Sequence, residues 1–143
     1  MNSPQTPEIH MGMIETYRSL PIHHLVYAQP VIIDRAAHEE EIRSICAIPA
    51  ERFGLAICAR NVSFATDYTP ADQLEVYGTH LLKPMKDRLL AVARYESGSF
   101  STMIRSMSAH LHVGIPFFMS IAPDLESALR AVRRGIDQRL AAR

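Results

Sequence analysis

A segment that runs strand, tight turn, helix and strand in succession leaves a chain few alternatives to a layered α/β fold, and residues 87–121 have that pattern. Residues 88–95 (RLLAVARY) form an apolar run long enough to cross a sheet and too short for a buried helix. Glu96-Ser97-Gly98-Ser99 is a turn cluster. After it Phe100, Met103, Ile104, Met107 and Leu111 recur on one helical face. Gly114 stands where a left-handed cap closes such a helix, and 116–121 (PFFMSI) resumes as a second apolar strand. A strand, a crossover helix and another strand make a parallel βαβ unit.

The flanking sequence extends this layer in both directions. Residues 1–12 read as a flexible arm and 13–143 as a single domain. Residues 13–20 and 25–33 are expected as an antiparallel strand pair joined by a turn at 20–24, with Pro30 at an edge, a bulge or a strand end. Asp34 is placed to cap a helix whose early acids, Glu39 to Glu41, suit the helix dipole and whose Ile42, Ile45 and Cys46 form the buried stripe. Residues 53–61 (FGLAICARN) read as a central strand covered on both faces, followed by a polar connection over 62–69. Thr69-Pro70-Ala71-Asp72 opens a helix that Pro84 is expected to stop, and Pro123-Asp124 opens a last one with Leu125, Ala128, Leu129, Val132, Ile136 and Leu140 on one stripe. The expected fold is α/β: one domain with a mixed, mostly parallel sheet of four to five strands and about four helices.

Composition narrows the function classes. Fifteen Lys+Arg balance fifteen Asp+Glu with no polybasic block, so the electrostatic footprint of a nucleic-acid binder is missing. No basic region followed by an apolar core opens the chain and no apolar run approaches a spanning helix, so a cytoplasmic protein without a membrane span is expected. Cys46 and Cys58 sit in apolar surroundings, where a buried hydrophobe is the plain reading. The histidines His10, His23, His24, His38, His80, His110 and His112 show no ligand spacing, so neither a metal nor another cofactor is expected. No Gly-rich phosphate loop, nucleophile elbow or HExxH string is present, so no catalytic residue is assigned.

Three strings carry a family resemblance: LAICARNVSFATDYTPADQL, RLLAVARY and GIPFFMSIAPDLESALRAV. In this order the chain resembles the STAS-like domains, relatives of bacterial anti-sigma-factor antagonists that are grouped with Sec14-type lipid-binding domains. The resemblance implies a non-enzymatic regulatory or protein-interaction module that meets a regulatory partner, of kinase or anti-sigma type, through the loop and helix after the central strand. The implied docking residues are Ser63, Thr66, Asp67 and Thr69. Antagonists of this kind carry an Asp-Ser-Ser/Thr-Gly-like string there. This chain has Ser63-Phe64-Ala65-Thr66-Asp67-Tyr68-Thr69-Pro70, without the glycine or the adjacent hydroxyl pair.

The alternative is a small-molecule binding domain of the Sec14-related type, taking an apolar or anionic ligand. Open α/β sheets bind ligands outside the carboxyl ends of their parallel strands. There the sequence places Arg60 and Asn61, then Arg94, then Ser97, Ser99 and Thr102, an edge where guanidinium groups beside free backbone N–H groups would suit a phosphate or carboxylate. Homodimer formation is left open by the sequence.

Overall fold

The computed structural model describes residues 8–96 and 118–141. The elements are β1 (Ile9–Tyr17), β2 (Leu20–Tyr27), β3 (Val31–Ile33), α1 (Arg35–Cys46), β4 (Phe53–Cys58), β5 (Val62–Phe64), α2 (Pro70–Tyr77), a π-helical stretch (Gly78–Leu82), α3 (Lys83–Met85), β6 (Leu89–Tyr95), β7 (Phe118–Ala122) and α4 (Leu125–Ala141). Five strands form a mixed sheet in the order β1-β2-β4-β6-β7. Among the described strands of this sheet only the β1/β2 pair is antiparallel; β2, β4, β6 and β7 run parallel, with α1 in the connection from β2 to β4 and α2 in that from β4 to β6. The helix expected over 100–111, its Gly114 cap, and Ser97, Ser99 and Thr102 lie outside the described residues.

Four local expectations are corrected. The strand expected to begin at residue 13 reaches back to Ile9, into the stretch read as an arm, because its Ile9 and Met11 pack against the core. The first turn is Arg18-Ser19, not 20–24. Both residues have positive φ (52° and 65°), the twist that two-residue hairpins favour. Pro30 splits the run 25–33, so its end becomes a separate strand, β3, which pairs in parallel with β5 inside the expected polar connection. Pro84 does not stop the helix after α2. The chain widens into the π-helical stretch and continues to Met85, and the Cys46 thiol donates to the His80 carbonyl (3.8 Å), the acceptor that the missing N–H of Pro84 would have used in an α-helix.

Asp34 caps α1 as expected, its Oδ1 accepting from the Ala37 N–H (2.8 Å). The sheet buries both faces. Leu25, Tyr27, Leu55, Ile57 and Val92 join the core under α1 and α2, while Ile22, Ala56, Cys58, Ala91, Ala93 and Tyr95 join the core under α4. Every residue of β4 and β6 is buried, which a continuous apolar run predicts for central parallel strands. Ala128, Val132 and Ile136 form the buried stripe of α4. The arginines off that stripe act locally: Arg133 holds Glu15 of β1 bidentately (2.7 and 2.6 Å) and Arg139 donates to the Lys86 carbonyl (2.7 Å).

Candidate docking loop and the buried network beneath it

The period-2 alternation of β6 turns Arg94 to the same face as Val92, towards α1 and α2. Arg94 is therefore not at a ligand edge: it is 3% exposed and forms an ion pair with Glu41 of α1 (2.7 Å), itself 1% exposed. Glu41 was expected among acids serving the helix dipole. It instead lies on the stripe of His38, Ile42 and Ile45 and points into the core. Its other oxygen accepts from the Tyr27 hydroxyl (2.8 Å), and Arg94 also donates to the Tyr77 hydroxyl. Burial is the largest influence and alone would raise the Glu41 pKa, but the Arg94 guanidinium, His38 and the Tyr27 hydroxyl together outweigh it and hold the carboxyl below its ordinary value. Three elements, α1, α2 and β6, are thus fastened by charge-assisted bonds in a buried layer.

The network extends from this pair to a loop. His38 packs edge-on against the Tyr77 ring (centroids 4.2 Å apart) and shares a hydrogen bond with the Tyr68 hydroxyl (2.5 Å). Gln73 of α2 donates from Nε2 to the Tyr68 carbonyl (3.0 Å). Tyr68 is consequently locked by side chain and backbone, 6% exposed, although its neighbours Thr66, Asp67 and Thr69 are all exposed. Thr69 is occupied as a helix cap, exchanging bonds with Asp72 in a capping box (Thr69 Oγ1 from Asp72 N, 3.2 Å; Asp72 Oδ2 from Thr69 N, 3.3 Å). Ser63 is exposed in β5 beside Ile32 of β3, which is 69% exposed. Among the described residues neither the Ser63 nor the Thr66 hydroxyl has a hydrogen-bond partner. Ser63, Thr66, Asp67 and Thr69 are thus all exposed, and Ser63 has beside it the exposed Ile32, which the sequence reading does not include.

The proposed ligand edge is differently disposed. Arg60 is bound bidentately by Glu96 (2.9 Å twice), which directly follows β6 with a φ of 63°. The Asn61 amide donates to the Tyr27 carbonyl (3.0 Å). Below them, on the α4 side of the sheet, the Cys58 thiol approaches Glu96 (3.9 Å), and Tyr95 and His24 share a 2.5 Å hydrogen bond. Burial raises the Tyr95 pKa and lowers that of His24. His24 also lines an open groove of about 580 Å³ with His10, Gly12, Ile14 and Val26. Among the described residues no group of three or more His, Cys, Asp or Glu side chains is arranged to hold a metal ion, and no described helix is long and apolar enough to cross a membrane.

His38 gives the network a pH signature. Burial, reinforced by Arg94, pushes its pKa down to about 4. Between that value and about 6.5 the unfolded chain binds a proton that the folded chain excludes, so stability rises with pH across this window, with a slope of about 1.4 kcal/mol per pH unit. Urea unfolding between pH 7 and pH 4 should show a loss of order 3 kcal/mol from this group. His38→Gln should flatten that part of the profile; an unchanged slope would assign the proton elsewhere. Glu41 adds a loss of the same sign only below its ordinary carboxylate range, because its folded pKa is depressed.

Searches of family models, curated proteins and solved structures found no match to this chain.

Proposed function

We propose that this domain is a non-enzymatic regulatory module of the STAS-like kind, acting in the cytoplasm, that docks a protein partner through residues 63–69 and the start of α2. The observation that carries this reading is the contrast within one loop: Tyr68 is locked into the buried network while Thr66 and Asp67 on one side and Thr69 on the other stand in solvent. A loop held this way loses little further conformational entropy on binding, so its contacts convert efficiently into affinity. Ile32 supplies an apolar anchor beside it. The kinase or anti-sigma character of the partner rests on the family resemblance.

An anionic ligand at the strand ends is the less favoured reading, because Arg60 and Arg94 each already face a carboxylate. The groove beside His24 keeps an apolar small molecule as a second reading, and a ligand retained in native mass spectrometry would favour it.

Immobilised domain, probed with lysate of its own host, tests the docking reading. A specific partner should be retained by the wild type and by Arg134→Ala, whose site is exposed on α4, and weakened about tenfold or more by Ile32→Glu or Asp67→Lys, with all variants folded by circular dichroism. A captured set indifferent to both loop substitutions would overturn the assignment.

A further inference from the structure

The outer edge of β1 is an unpaired strand edge among the described residues. The direction of its backbone groups follows from one bond. Ala28 N–H donates to the Glu8 carbonyl (3.0 Å), so these two are a hydrogen-bonded pair, and in the same register so are His10 with Val26 and Gly12 with His24. The alternate residues Ile9, Met11 and Met13 therefore aim their N–H and C=O groups away from β2. The regular register holds from Ile9 to Met13 and then shifts before Glu15, so the pairing-competent edge is those five residues.

Up to the shift before Glu15, the edge lacks the charges and prolines that commonly guard such strands. Ile9-His10-Met11-Gly12-Met13 contains no lysine, no proline and no acid, and Met13 is 62% exposed. We propose that it pairs with β1 of a second copy of this chain, antiparallel about a two-fold axis through Met11, joining two five-stranded sheets into one. Self-complementarity identifies the occupant. With Met11 on the axis it meets Met11 of the other copy, and Ile9 meets Met13, so every outward-facing amide finds an outward-facing amide. On one face of the sheet the contacts are apolar throughout, in continuity with the core that Ile9 and Met11 already join. On the other face His10 lies opposite Gly12, where nothing stands within 4 Å of the position a Cβ would take, so the imidazole has room. No like charges are opposed. Because only five residues pair on each side, the interface belongs to the small, reversible class, and the dimer should dissociate on dilution. This inference is independent of the docking loop.

Sedimentation velocity over a concentration series tests it on the full chain. A species of twice 16.0 kDa should grow with concentration, and Met13→Lys should raise the dissociation constant by about tenfold or more. Cross-linking decides the register and remains informative if that variant folds poorly. Residues facing each other as a hydrogen-bonded antiparallel pair have Cα atoms about 5.5 Å apart, inside the disulfide range. Met11→Cys in a Cys46→Ser background should therefore oxidise to a covalent dimer, whereas Gly12→Cys, whose two copies would lie beyond about 7 Å, should not. A chain that stays monomeric at ~1 mM would overturn the proposal, as would cross-linking that does not favour position 11 over position 12.

Discussion

Arg94→Met should lower the free energy of unfolding by about 3–5 kcal/mol in urea titrations at neutral pH. The substitution keeps much of the side-chain volume but leaves the Glu41 carboxylate, 1% exposed, with the Tyr27 hydroxyl in place of a cation. A buried carboxylate deprived of its cation relieves the cost by binding a proton, so the deficit of the variant should shrink as the pH is lowered. Glu41→Gln should be damaging for the mirror reason, because it removes the countercharge of a buried guanidinium that cannot deprotonate. The combined Glu41→Leu, Arg94→Met variant should recover most of the loss, because a buried ion pair replaced by apolar groups of similar volume is often neutral or better. A single substitution costing less than about 1 kcal/mol, or a double variant as unstable as the sum of the singles, would show that the pair is not what fastens α1 and β6. The double variant also separates stability from presentation: with Arg94 gone, the Tyr77 hydroxyl loses its donor and the packing that seats Tyr68 is altered, so the docking proposed for Thr66 and Asp67 should weaken even where folding is restored.

The same pair marks what the sequence could and could not convey. Periodicity locates β4, β6, α1 and α4 because each is dominated by burial, which leaves a period of two, an uninterrupted apolar run or a 3.6-residue stripe. It does not locate β3 and β5, three residues each, which exist because Pro30 interrupts a ladder and the chain finds a second partner at the Val31 to Asn61 contact (2.8 Å). Sequence position near a strand's carboxyl end points Arg94 to a ligand edge there, yet it sits within a strand buried on both faces. A charge in such a run requires a countercharge, and the sequence does hold one: Glu41 falls on the apolar stripe of α1 with His38, Ile42 and Ile45, where a solvated acid does not belong. Each anomaly alone reads as an exception, and only the tertiary fold shows that they cancel. The exposed loop was legible as hydroxyl-rich punctuation before a helix. What pins it, Tyr68 against His38, joins residues thirty apart in the chain and leaves no local pattern.

Gly54→Ala should destabilise the protein by about 1–3 kcal/mol, although an alanine in a strand normally gains roughly 0.5–1 kcal/mol over glycine. The sign reverses because α4 lies directly on β4 at this point. A Cβ on residue 54 would come within 2.5 Å of Val132 Cγ1 and 3.1 Å of Ile136 Cδ1. The Ile136 methyl ends a flexible side chain, but Val132 is β-branched, fully buried and fixed at χ1 by its helix, so relief requires α4 to lift from the sheet. Lifting it would strain the Arg133 to Glu15 ion pair one residue further along. Val132→Ala alone should cost about 1–3 kcal/mol for the methyl groups and the cavity they leave. In the double variant the new methyl occupies part of that cavity, so the two losses should not add, and a coupling of about 1 kcal/mol or more in the restoring direction is expected from equilibrium unfolding of the full cycle. Additive losses, or a Gly54→Ala protein as stable as the wild type, would mean that α4 rests on the sheet more loosely than the Val132 contact requires.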